Sequence, residues 1–154
     1  MTKTSRNAII NSTNEREVII MTNNNYGYIY SGNYTNQRKY GITKIGMTQN
    51  SPSSRRSCIE HQSGHKFRMR KYIRIANITK EDLLFVESWV RRAMANVDGL
   101  TYDPQSNDHF TFTIEQGKKF DQFDQFADLA MQFAQDALRF MGYAESSMKI
   151  KECR

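Results

Sequence analysis

Residues 44–55, with the sequence KIGMTQNSPSSR, contain the transition from a strand to a helix that organises this chain. Lys44 to Met47 ends a β-branched stretch that begins near Lys39, which predicts a strand. Ser51 then offers an oxygen to free backbone N–H groups, and Pro52 suits the first helical position. The pattern predicts a helix from this point to about Gln62, ending near Gly64.

The residues before this segment predict its partner strand. Residues 26–30, YGYIY, are aromatic and β-branched, and the turn-forming residues 31–33 and 35–37 follow them. The two strands are therefore expected to form a hairpin with a long loop. Residues 1–24 are polar, and apart from a strand-like stretch at 17–21 we expect a partly disordered N-terminal extension.

The residues after the predicted helix form an alternating apolar and polar pattern, which predicts a strand from Lys66 to Ile75. The alternation is expected to place four apolar residues on one face and four mostly basic ones on the other. The apolar residues are Phe67, Met69, Ile73 and Ile75, and the second set is Arg68, Arg70, Tyr72 and Arg74.

The remaining pattern completes the fold class. Thr79 and Asp82 predict a helix start, and this helix is expected to run to about Asn96. A loop from Tyr102 to Asp108 precedes a strand at 109–114, and a long helix lies between Gly117 and Gly142. The predicted order is ββαβαβα, an α+β domain with a small mixed or antiparallel sheet flanked by helices.

Composition limits the classes of function. A net charge of +6 and a pI near 9.4 favour a polyanionic partner. No run approaches the roughly 18 apolar residues of a membrane span, and the N-terminus lacks a secretion signal, so an intracellular protein is expected. Cys58 and Cys153 form no familiar zinc-binding spacing with the three histidines, and free thiols are the simpler interpretation.

Four sequence elements together resemble the GIY-YIG nuclease superfamily. They are YIY at 28–30, KIGMT at 44–48, Arg55 eleven residues after Lys44, and Glu87 in the later helix. The match covers roughly residues 26–115 and is closest to a branch, frequent in phages and viruses, whose second motif reads KIGMT. The first motif departs from the family pattern, since Gly27 stands one residue early, and Lys44 replaces the second tyrosine. Tyr34 and Tyr40 leave the assignment of that tyrosine open.

The resemblance implies a nuclease domain over residues 25–116 and a catalytic site of Tyr30, Lys44, Arg55 and Glu87. Tyr30 would activate water with help from Lys44, while Tyr28 is expected on the opposite face of the strand. Arg55, with Arg56 as its competitor, would hold the phosphate through its planar fork of donors. Glu87 lies beside Leu83 and Val90 in the helical pattern, at the margin of the apolar face. It would be the single protein ligand of Mg²⁺ or Mn²⁺.

The expected activity is metal-dependent cleavage of DNA, with RNA left open as a substrate. The alternative is a catalytically weak nucleic-acid-binding module on the same scaffold. Each residue also has an ordinary interpretation, for example Glu87 as a surface partner of Arg91 one helical turn later. Arg56, Arg68, Arg70 and Arg74 are candidates to contact the nucleic-acid backbone, or simply form a solvated face. The Phe-rich helix in residues 117–154 is expected either to pack on the domain or to form a homodimer interface.

Overall fold

The computed structural model describes residues 25–35, 42–98, 100–103, 110–114 and 121–153. The elements are β1 (Tyr26–Tyr34), β2 (Ile42–Thr48), α1 (Pro52–Ser63), β3 (Phe67–Ala76), α2 (Lys80–Ala95), β4 (Leu100–Asp103), β5 (Phe110–Ile114), α3 (Asp121–Phe140), a short 3₁₀ turn (Glu145–Ser147) and β6 (Met148–Glu152). The α+β class is confirmed. The predicted order is found with two additional strands, β4 and β6.

One antiparallel sheet contains all six strands, in the order β4-β5-β2-β1-β3-β6. On one face α1 contributes Ile59 to a small cluster with Tyr30, Tyr34, Phe67 and Met69. On the other face α2 and α3 pack on Ile29, Ile45, Ile73 and Ile75, which form the larger core. The sheet thus separates a mostly aromatic cluster from a mostly aliphatic one.

The apolar stripe of α3 lies inside this larger core. Phe123, Phe126, Met131 and Leu138 are buried, and only Phe140 is an exposed large apolar residue of the described part of this helix. Of the two expectations for the Phe-rich helix, packing on the domain is therefore the one found. A homodimer through the outer surface of the helix stays a prediction. No helix of the described chain is both long and apolar enough to cross a membrane.

The predicted helix boundaries are confirmed at both helices that flank β3. Ser51 caps α1, because its hydroxyl accepts from the backbone N–H of Ser54 at 3.1 Å, and Gly64 ends the helix in the left-handed region with φ of 72°. Thr79 caps α2 by accepting from the N–H of Asp82 at 3.1 Å. Each cap satisfies a donor that the first helical turn leaves without a backbone partner.

The expected turn at residues 31–33 is wrong, because these residues continue β1 and pair with both neighbouring strands. Ser31 and Asn33 are buried, and the side-chain oxygen of Asn33 accepts from Nε of Arg70 at 2.7 Å. A tertiary partner therefore satisfies a polar side chain that would otherwise favour a turn.

A β-bulge divides β3 and corrects the predicted faces of that strand. Ser31 pairs with Lys71 whereas the next residue, Gly32, pairs with Met69, so Arg70 is the extra residue. One inserted residue reverses the alternation of faces beyond it. Phe67 and Met69 consequently face α1, and Ile73 and Ile75 face the opposite core, so the single apolar face that we expected does not exist.

Several predictions lie outside the described residues. They are the disorder of residues 1–24, the strand-like stretch at 17–21, the loop between β1 and β2 at 36–41, and the surroundings of His109.

Candidate active site

Tyr30 lies at the centre of the sheet face that α1 covers, and Gly46 is its direct partner on the adjacent strand β2. The two residues pair in register, and Tyr30 is fully buried. A Cβ atom added at Gly46 would lie 2.3 Å from the hydroxyl oxygen of Tyr30 and 2.5 Å from its Cζ. The absence of a side chain at position 46 therefore creates the space in which the phenol lies.

Arg55 approaches the same phenol from α1. Its Nε donates to the Tyr30 hydroxyl at 3.2 Å, which fixes the orientation of the guanidinium plane. The neighbouring Arg56 points elsewhere, and its Nη1 lies 3.4 Å from Oε1 of Glu60 one turn later on the exposed helix face. Of the two candidate arginines, only Arg55 thus contacts Tyr30.

The pKa of Tyr30 moves against the expectation that a nearby cation would favour the phenolate. Burial raises its pKa to about 12, although the hydrogen bond and the charge of Arg55 lower it. The negative charges of Glu87 and ionised Tyr34 add to the rise. At neutral pH the hydroxyl therefore stays protonated and acts as a hydrogen-bond partner of Arg55.

Lys44 is buried on the same face, but its ammonium is directed to Tyr34 and not to Tyr30. Its Nζ donates to the Tyr34 hydroxyl at 3.4 Å and lies 5.9 Å from the centroid of that ring. Burial raises the pKa of Tyr34, while a hydrogen bond with Ser63 and the charge of Arg55 lower it. Tyr34 thus contacts Lys44 directly and interacts through its charge with Arg55 and Tyr30.

Glu87 lies on α2, between the buried residues Leu83 and Val90, as the helical pattern predicts. Burial raises the pKa of its carboxyl group from 4.5 to about 7, although Arg91, Arg55 and a backbone hydrogen bond from Met47 each lower it. The ordinary partner Arg91 is therefore present, but the carboxyl group also lies within the field of Arg55 and at the end of β2. A carboxyl group with this pKa is readily ionised by an added cation.

The two helices lie on opposite faces of the sheet, yet the charge of Arg55 acts on the carboxyl group of Glu87 at its margin. Pairing between β2 and β5 ends at Ile45 and Phe110, whereas β2 itself continues to Thr48. Among the described residues β5 does not extend beside the last residues of β2, and this is where the backbone of Met47 donates a hydrogen bond to Glu87. Tyr30, Arg55 and Glu87 consequently form one cluster, with Lys44 and Tyr34 adjoining it.

The donor set of this cluster fits only a cation that keeps most of its water. No three His, Cys, Asp or Glu side chains come together in the part of the chain that the structure describes. One carboxylate is characteristic of Mg²⁺ sites in which water and substrate phosphate supply the remaining oxygens. Glu87 is the residue of the cluster that would hold such an ion.

The four arginines expected to contact a nucleic-acid backbone differ in accessibility. Arg70 is buried on the α3 side and pairs with Asp124 at 3.1 Å, so its place on a solvent-facing basic strand face is wrong. Arg56 and Arg68 are exposed, and the Arg74 guanidinium lies 4.5 Å above the centroid of the Tyr26 ring. The bulge explains the difference, because it turns Arg70 away from α1.

Tyr28 is a further correction, since it shares the α1 face with Tyr30. Its ring packs edge-on against Tyr72, with centroids 5.6 Å apart. Residues two apart in a strand point to the same side, so the expected opposite orientation is wrong. Gly46 has no separate role in the motif, and Tyr34 was expected only as an alternative for the motif tyrosine. The alternation of side chains along a strand predicts that Tyr34 shares a face with Tyr30. It does not predict the contact of Tyr34 with Lys44.

Comparison with models of known protein families, with curated proteins and with solved structures finds no match to this chain.

Proposed function

We propose that this chain is a divalent-metal-dependent endonuclease of the GIY-YIG type that hydrolyses phosphodiester bonds in DNA. The observation that carries the proposal is the cluster of Tyr30, Arg55 and Glu87 at the end of β2. These residues come from three elements separated along the chain, and each of them also carries part of the resemblance in sequence.

Arg55 is the proposed phosphate-binding residue. Its hydrogen bond to Tyr30 fixes the plane of the guanidinium, which suits the bidentate recognition of a phosphate. It lies one turn into α1, near a helix N-terminus that itself favours anions. A negative charge that develops on the phosphate during hydrolysis would be stabilised by this preoriented cation.

Glu87 is the proposed ligand of Mg²⁺ or Mn²⁺. When bound, such an ion would supply polarisation of the phosphate and stabilisation of the leaving oxygen. In the absence of a cation, burial keeps the carboxyl group close to half-protonated at neutral pH. Arg55 and Arg91 limit this rise and hold the carboxyl group near the ionised state that binding requires.

Tyr30 is proposed to position Arg55, not to remove a proton from water. Its pKa of about 12 makes it a poor base at neutral pH, and the hydroxyl is already used by Arg55. Lys44 is proposed to contribute positive charge to the site through its contact with Tyr34.

The alternative function, a nucleic-acid-binding module with weak or no catalysis, is favoured by the complete burial of Tyr30. A cleavage assay separates the two proposals. The 154-residue chain is incubated with a random-sequence DNA pool and with supercoiled plasmid, in Mg²⁺, Mn²⁺ or EDTA. Cleavage by an endonuclease requires the metal and falls by about 10²-fold or more in Glu87→Gln.

Glu81→Gln is the matched control, since Glu81 is an exposed carboxylate in the first turn of the same helix. It should cut like the unmodified chain. Salt-sensitive binding without cutting in any metal would favour the alternative. Equal cutting by Glu87→Gln and the unmodified chain would contradict the proposed site.

A further inference from the structure

A groove opens between α1 and the sheet, on the side of α1 away from Arg55. It encloses a cavity of about 780 Å³, whose floor includes Tyr28 and Tyr72 and whose rim includes Arg56, Lys66 and Arg68. We call this region the aromatic groove. Its volume is in the range of sites for small organic ligands, which is enough for a nucleotide.

The floor of the aromatic groove offers aromatic surface. Tyr28 and Tyr72 are each only half-buried although they contact one another edge-on, so ring surface remains open to the groove. At one end the pairing of Tyr26 with the guanidinium of Arg74 continues the row of rings. Planar, electron-rich side chains in an open groove are suited to stacking with planar heterocycles.

The rim of the aromatic groove carries an excess of positive charge. The cationic residues Arg56, Lys66 and Arg68 line the groove together with one carboxylate, that of Glu60. This carboxylate is already engaged, since its Oε2 accepts from the backbone N–H of Phe67 at 2.8 Å and its Oε1 pairs with Arg56.

Strand β6 adds two lysines on the same face of the sheet. Lys151 is directly opposite Tyr72 and Lys149 is opposite Arg74. Directly opposite residues of an antiparallel pair share a face. Rings on β1 and β3 therefore lie beside cations on β3 and β6, as expected of a surface that binds bases and phosphates together.

A second cavity, of about 370 Å³, extends the aromatic groove towards the end of β2. The two cavities share Tyr28 and Ser51, and the second also contacts Gln49 and Asn50. Gln49 follows Met47 by two residues, and Met47 is the backbone partner of Glu87. The extended groove thus leads from the open face of the sheet to the part of β2 that adjoins the candidate active site.

We propose that the aromatic groove binds an unpaired stretch of a DNA strand, with bases stacked on Tyr28 and Tyr72 and phosphates held by Arg56 and Lys66. A duplex keeps the faces of its bases stacked on each other, whereas an unpaired strand exposes them. The position of this stretch beside the cleaved bond rests on the proposed function, whereas the binding of an unpaired strand is independent of it.

Binding is measured by fluorescence anisotropy in EDTA with the Glu87→Gln variant of the 154-residue chain, so that cleavage plays no part. The probes are an oligothymidylate of about 15 nucleotides, an abasic strand of the same length, and a blunt duplex. We expect the oligothymidylate to bind about 5-fold or more tighter than the abasic strand, which has the same phosphates but no bases. Equal affinity for the two single strands would overturn the proposal, as would tighter binding of the duplex.

Substitution of the two rings identifies where the bases stack. Adding Tyr28→Leu and Tyr72→Leu, which keep apolar volume on the strands, should lower the affinity for oligothymidylate about 5- to 150-fold and leave the abasic strand little changed. Adding Tyr28→Phe and Tyr72→Phe keeps the rings and should preserve binding. Phe140→Leu is the matched control, because Phe140 is 72% exposed on α3, across the sheet from the groove.

The melting temperature of each variant verifies that it is folded. An unchanged preference for bases in the double leucine variant would overturn the assignment to these two tyrosines. Tighter binding of an oligouridylate than of oligothymidylate would overturn the assignment to DNA. A groove that binds bases in a chain that never cuts would support this inference while contradicting the proposed nuclease activity.

Discussion

The two faces of the sheet use the same strands for different purposes. The face covered by α2 and α3 is built from isoleucines and the buried side chains of helices, and it excludes solvent. The face towards α1 is built from Tyr30, Tyr34 and Lys44 around a glycine, and α1 covers only part of it. The difference indicates that burial of aliphatic surface stabilises the fold on one face, while the other holds polar and aromatic groups in fixed positions.

The largest expected effect concerns the α1 face alone. Arg55→Ala should lower the cleavage rate by about 10²- to 10³-fold, because it removes the preoriented cation at the phosphate. Arg56→Ala is the matched variant one residue later, and its effect on cleavage should stay below about 10-fold. Single-turnover cleavage of plasmid measures both. Similar losses in the two variants would contradict the distinction that the Tyr30 hydrogen bond implies.

Adjacent residues on β3 test the contribution of each face to stability. Ile73→Ala removes a fully buried side chain from the larger core and should lower the free energy of unfolding by about 2–5 kcal/mol. Tyr72→Leu changes the half-buried residue beside it on the other face and should cost less than about 1.5 kcal/mol. Urea denaturation gives both values. A larger loss for Tyr72→Leu than for Ile73→Ala would reverse the proposed division between the faces.

The stability of the protein without metal should fall between pH 4.5 and pH 7 because of Glu87. Its pKa is higher in the folded chain, so folding favours the protonated form, and the unfavourable contribution grows as pH rises through this window. A rise from 4.5 to about 7 corresponds to about 3 kcal/mol, or roughly 6–12 °C in melting temperature.

Glu87→Gln removes the titrating group and should lose this part of the pH dependence. The comparison is made by calorimetry in EDTA at pH 5 and pH 8. A decrease in melting temperature that is the same in both proteins would exclude Glu87 as its origin.

Substitution of two glycines compares the effect of tighter packing on the two faces of the sheet. Gly46→Ala should reduce cleavage by more than about 10-fold, because the new methyl group displaces the Tyr30 ring that positions Arg55. At Gly27, a Cβ would lie 2.5 Å from Cγ2 of Ile78 and 3.0 Å from Cδ2 of Leu83, on the side of the larger core. Gly27→Ala should therefore cost about 1–3 kcal/mol of stability and leave the rate per folded molecule unchanged.

The smallest expected effect concerns the arginines that the bulge separates. Arg74→Ala should reduce the slope of log affinity for DNA against log salt by about 1, as loss of one phosphate contact does. Arg70→Met should leave this slope unchanged, because the guanidinium is buried and pairs with Asp124. Salt titrations monitored by anisotropy measure both slopes. A reduced slope for Arg70→Met alone would contradict the assignment of these residues to different faces.

Local signals in the sequence were sufficient for the helices and for the pairing of β1 with β2, but not for the point at which β1 ends. Ser51, Pro52 and Gly64 determine the ends of α1 through short-range hydrogen bonds and backbone geometry. The resemblance in sequence named Arg55 and Glu87, whose charges interact in the folded chain. The short strands β4 and β6 were not foreseen, because four or five residues give little periodic signal before they pair with a neighbour.

The amino-acid sequence by itself determined the α+β class and the helix boundaries, since these depend on local propensity and on spacing along the chain, while a resemblance in motifs named the residues of the candidate site. The tertiary structure decided which face each residue occupies. It placed the bulge at Arg70, directed Lys44 to Tyr34 and brought Glu87 past the end of β5 towards Arg55. Such outcomes follow from contacts between residues distant in the chain, and burial then sets the protonation of the groups that those contacts bring together.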